Sequence, residues 1–148
     1  MREFLWCMIA FSLLFACATD CRTCRVYNFT WWISGAAALL LLVAEKNNLC
    51  MQDVVELGLF VLLQLLFFPK VYGRADCYAF SVCAVAETAA GMGFREYLVH
   101  MLGAFSFLAV VQAFCRNIDK YGNLKHPVPF LPYIALAFWA LLWYHYTC

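Results

Sequence analysis

The ten residues 59–68, LFVLLQLLFF, decide what kind of chain this is. A membrane-facing strand alternates polar and apolar side chains, whereas this run is continuously apolar in character, and so is AAALLLLVA at 36–44. In hydrocarbon such a segment satisfies its own backbone only as a helix. Working outward, apolar segments fall at Phe4–Thr19, Phe29–Ala44, Val54–Phe68, Cys77–Ala90, Tyr97–Phe114 and Phe130–Tyr146. Each has about 14–18 residues, near the lower limit for crossing ~30 Å of hydrocarbon at ~1.5 Å per residue. Interfacial aromatics and local thinning of the bilayer would make up the difference. The expected fold is all-α, a polytopic integral membrane bundle of six short transmembrane helices in a single domain over residues 1–148.

Composition agrees: 66% of the 148 residues are hydrophobic and 13% charged, which places the chain outside the range of soluble domains. A formal net charge of +1 offers no footprint for nucleic acid. No linker, low-complexity tract or internal repeat divides the chain. Trp31, Trp32, Trp139, Trp143 and Tyr144 stand at segment ends, as an aromatic belt requires. Of the nine cysteines, Cys7, Cys17, Cys77 and Cys83 lie inside apolar segments, and the set reads mainly as packing residues. Cys21-x-x-Cys24, with Cys17 one turn earlier, is short of the ligands a structural zinc takes, so reduced thiols are expected there and no metal.

Basic residues are retained on the cytoplasmic side during insertion. Arg22, Arg25, Lys70, Arg74, Arg116, Lys120 and Lys125 follow the first, third and fifth segments, against Arg2, Lys46 and Arg95 on the other face. The expected location is the cell membrane, multi-pass, with both termini outside. Ala16–Ala18 and Cys17 invite a signal-peptide or lipobox reading of the N-terminus, but Phe15 is bulky for a lipobox and Glu3 offsets Arg2.

On this orientation Asp20 and Asp76, 56 residues apart, share the cytoplasmic face. If the first and fourth helices are neighbours, two carboxyls in one site cannot both ionise cheaply and hold a proton between them. The charged member then deprotonates a water while the neutral member protonates the scissile carbonyl, without metal or organic cofactor. The structural alternative for Asp20 alone is a loop-capping residue paired with Arg22 or Arg25. Glu56, Glu87 and His100, toward the opposite ends of their helices, are expected to bond to one another or to face the interface, with a proton relay as the functional alternative. Asp119 reads as a solvated loop charge and His126 as a loop residue.

Three blocks carry a family resemblance. TDCRTCRVYN at 19–28 resembles the D-x-R-x-x-x-I-x-N signature of the prepilin peptidase (type IV leader peptidase) family, with Asp20, Arg22, Val26 and Asn28 in the matching places. GRAD at 73–76 resembles its G-x-G-D motif, and HPVPFLPYIAL at 126–136 is similar to the Pro-Phe-x-Pro-(Phe/Tyr) stretch before its last helix. The resemblance implies a six-helix membrane aspartic endopeptidase of the short form, which removes the leader of pilin-like (Flp/Tad-type) precursors at the cytoplasmic membrane face. It implies Asp20 and Asp76 as the catalytic pair, and Arg22, Asn28, Gly73, Ala75, Pro129, Phe130 and Pro132 as residues that bind substrate or shape the site. The long form's extra cytoplasmic region has no counterpart, so no methyltransferase activity is expected.

The sequence departs from the pattern twice. Ala75 replaces the second glycine, at a cost of about 1 kcal/mol or more if the position needs positive φ, and Cys77–Tyr78 replaces an apolar residue and a lysine. The expected partners are a pilin-like precursor and the lipid bilayer, with a homo-oligomer left open. Two alternatives stand beside the peptidase: a catalytically degenerate homologue acting in pilus assembly, and a small proton- or cation-coupled transporter.

Overall fold

The computed structural model describes residues 1–23, 25–45, 49–118 and 129–148, with backbone alone at 115–118. Cys24, Lys46, Asp119, Lys120, Lys125, His126 and the side chain of Arg116 therefore lie outside the described residues. The helices are α1 (Arg2–Thr23), α2 (Asn28–Ala44), α3 (Met51–Leu66), α4 (Arg74–Ala89), α5 (Phe94–Ile118) and α6 (Leu131–Thr147), with a 3₁₀ turn at Phe68–Lys70. No strand occurs among the described residues, so the fold is all-α. Each apolar segment forms one helix.

Local chemistry sets the ends. At the start of α3 the Cys50 N–H donates to Asp53 Oδ2 at 2.8 Å, half of a capping box. The C-terminus of α4 closes on Gly91, at φ +85°. There the Met92 N–H reaches Glu87 O at 3.0 Å and the Gly91 N–H reaches Thr88 O at 2.9 Å. That is a Schellman closure, and it needs a residue that tolerates the left-handed region.

Three stretches, Arg2–Thr23, Met51–Lys70 and Phe94–Phe114, are long and apolar enough to cross a membrane. The other three helices have 16 or 17 residues. The six similar short segments thus become two long helices, α1 and α5, and four of 16 or 17 residues, of which α3 makes a 20-residue stretch together with its 3₁₀ turn. Leu14, Trp32, Leu40, Leu62 and Leu102 are each more than half exposed on the outside, an arrangement suited to lipid contact.

One of the two 16-residue helices, α4, is the innermost. Along α4, Cys77, Ala79, Phe80, Val82, Cys83, Ala84, Ala86, Glu87, Thr88 and Ala89 are all buried. Its many small side chains let neighbouring backbones approach closely, which is how helices associate without a water-driven hydrophobic force. It packs against α2, α3, α5 and α6, while α1 packs on α2 and α6, and α5 on α3 and α6. α1 does not pack extensively on α4, but its C-terminal end lies at the same end of the bundle as the starts of α4 and α6, where Asp20 bonds the Leu131 amide and acts on Asp76.

Candidate active site

The first turn of α6 leaves its amides unused by the helix and carries the positive end of the helix dipole. Pro132 has no N–H to offer, and the Tyr133 N–H turns back to Phe130 O at 3.0 Å. The donors left are Leu131 and Phe130. Asp20, buried near the end of α1, accepts from the Leu131 N–H through Oδ2 at 3.2 Å, with the Phe130 amide alongside. The conjunction of a proline, an aromatic N-cap and a carboxylate thus docks α1 onto α6.

Asp76 occupies the first turn of α4, half-buried, ahead of the apolar stretch that begins at Cys77. Gly73, the N-cap, has φ +111°, and a Cβ built on it would meet Asp76 Oδ2 at 3.4 Å. Glycine here provides both the backbone conformation and the close approach. Ala75, by contrast, is inside α4, where the helical backbone favours alanine over glycine, so the departure from G-x-G-D carries no conformational penalty. Burial, reinforced by the nearby Asp20 carboxylate, pushes the Asp76 carboxyl up to about 7. The two aspartates thus lie at one end of the bundle, within electrostatic reach of each other.

Aromatic rings support this end. Tyr72 stacks on Phe68 with centroids 5.4 Å apart and meets Phe80, Phe105 and Phe130 edge-on at 5.7, 5.7 and 6.0 Å. Its hydroxyl donates to Gln64 Oε1, and Gln64 is fully buried within α3. Neither residue stands out in the sequence, where 59–68 is apolar throughout except for Gln64. The signal was there: a lone amide in such a run needs a buried partner.

The remaining residues implied by the family resemblance are spread more widely. Pro129 and Pro132 are half-buried where α6 begins, and the Phe130 ring is buried in the aromatic cluster. Arg22 is exposed on the last turn of α1. Asn28 opens α2 and lines a 390 Å³ cavity with Trp31, Trp32 and Tyr78, and a second cavity of 290 Å³ lies between Leu65, Pro69, Arg74, Cys77 and Tyr78. Of the thiol stripe, Cys17 is half-buried and Cys21 exposed. Among the described residues no three of His, Cys, Asp and Glu gather as a metal-ligand set.

The second group of ionisable residues separates. Glu56 caps α5, accepting from the Phe94 N–H at 3.0 Å and from Gln52 at 2.7 Å. Glu87 and His100 pair instead, Oε1 to Nδ1 at 2.7 Å, both fully buried. The other ring nitrogen lies 3.0 Å from Ile134 O, and the ring is flanked by Phe80 and Phe138 at 5.2 and 5.9 Å. The pair ties α4 to both α5 and α6.

No protein-family model, curated protein or solved structure matches the chain.

Proposed function

We propose that the chain is a six-span membrane aspartic endopeptidase that cleaves the leader of pilin-like precursors at the cytoplasmic face. The supporting observation is the convergence of Asp20 and Asp76, with one carboxyl buried against the first turn of α6 and the other raised to about 7 by burial and by its neighbour. In this reading Asp76 carries the shared proton and delivers it to the scissile carbonyl. Asp20, already oriented by the Leu131 amide, takes a proton from the attacking water. Gly73 keeps the start of α4 close to Asp76, and the cavities on either side of Tyr78 are where the polar segment preceding the cut would rest. The precursor's apolar helix would lie in lipid beside the bundle.

The test is co-expression of a tagged pilin-like precursor with the wild type, Asp20→Asn or Asp76→Asn. Shortening by the wild type and by neither variant is expected. Unshortened precursor that co-purifies with the wild type would favour the assembly homologue instead. A second reading, proton-coupled transport, draws on the buried Glu87–His100 pair. It predicts proton flux in proteoliposomes that is lost in Glu87→Gln and unaffected by Asp76→Asn.

A further inference from the structure

At the end of the bundle away from Asp20, a 670 Å³ cavity opens between the first turns of α1 and the last turns of α6. Three of the chain's five tryptophans, Trp6, Trp139 and Trp143, line it together with Tyr146, over a floor formed by the buried Leu142. Arg2 and Glu3 complete the rim. An aromatic belt alone spreads such side chains around the interface. Here they converge on one concavity from two helices, with a guanidinium and a carboxylate beside them.

Depth and charge indicate the occupant. The apolar run of α1 begins at Phe4 and that of α6 ends at Tyr146, so the cavity would lie where hydrocarbon gives way to headgroups. The Arg2 guanidinium reaches Glu45 at 3.4 Å and the Tyr146 hydroxyl at 3.5 Å, which leaves further N–H donors of its fork for an anion. Glu3 and the faces of the tryptophans suit an ammonium group, the first by charge and the second by their quadrupoles. We propose that this cavity binds the headgroup of a zwitterionic, ethanolamine-type phospholipid, with phosphate at Arg2 and ammonium between Glu3 and the indoles. The assignment is independent of peptidase activity and requires only that the bundle sit in a bilayer.

The experiment is native mass spectrometry of the full chain, stripped of lipid in detergent. It is titrated with phosphatidylethanolamine or phosphatidylglycerol of identical acyl chains. The wild type should retain the ethanolamine lipid with roughly tenfold higher affinity than the glycerol lipid, the size expected of one charge-assisted contact. Arg2→Ala should weaken both lipids. Glu3→Gln and Trp143→Ala should erase the preference, while Trp32→Phe should leave it intact. Arg2 and Trp143 are 51% and 74% exposed, so these changes spare the fold, as an unchanged melting curve would confirm. Equal retention of the two lipids by the wild type would overturn the proposal, as would variants that discriminate as the wild type does.

Discussion

At the residue scale the chemistry turns on the start of α4. Asp76 is protonated below about pH 7 in the folded chain, whereas an unfolded chain would lose that proton at an ordinary carboxylate pH. Folding therefore takes up a proton between those two values. The stability associated with it is full at low pH and is lost as pH rises through about 7. Asp76→Asn cannot ionise and should escape the loss. Its melting temperature in detergent should exceed the wild type's at pH 8, by the equivalent of about 1–2 kcal/mol after allowance for partial exposure, and match it near pH 4. Equal pH profiles for the two proteins would mean that the carboxyl is not buried as described.

Gly73 supplies the second prediction at this scale. Its φ of +111° is strained for any other residue, so Gly73→Ala should cost about 1–2 kcal/mol and displace Asp76. Ala75→Gly should behave oppositely to what a family motif suggests. It should lose about 0.5–1 kcal/mol of helix stability and gain no cleavage in the precursor assay. The motif was legible in the sequence. Which of its positions needs glycine was not, because that depends on where the helix begins.

At the element scale the Glu87–His100 pair matters most. It holds α6 through Ile134 O, one turn from the Leu131 amide that binds Asp20. Removing one partner leaves a buried polar group alone, so Glu87→Ala or His100→Ala should each destabilise the protein by about 3–5 kcal/mol, measured by chemical denaturation in detergent. A double replacement by leucine should cost much less than the sum of the singles. The sequence marked Glu56, Glu87 and His100 as neighbours in the same zone. Only packing separated Glu56, which caps α5, from the other two. The Gln64–Tyr72 bond is hidden from the sequence for a related reason: it joins α3 to the segment before α4, and neither local pattern contains the partner.

At the scale of the whole molecule, α1 and α6 run antiparallel, so Arg2 lies near Tyr146 and Asp20 near Leu131. Cys21 and Cys148 are both exposed at opposite ends of this arrangement. In the proposed orientation, a membrane-impermeant thiol reagent added to intact cells should label a variant retaining only Cys148. It should reach one retaining only Cys21 only after permeabilisation. Labelling of both from outside would reverse or break the proposed topology.

By itself the sequence determined the class of fold and the six helical segments, because a run of apolar residues such as 59–68 has one way to satisfy its backbone in a nonpolar medium. It also singled out two acidic residues that are costly to keep at the edge of hydrocarbon. Tertiary structure decided that α4 is the inner helix, that Asp20 meets the amide end of α6, that Glu87 takes His100 as its partner, and that three tryptophans share one cavity. Each of these joins residues distant in the chain through side-chain shape and hydrogen-bond direction, and a one-dimensional pattern of polarity contains neither.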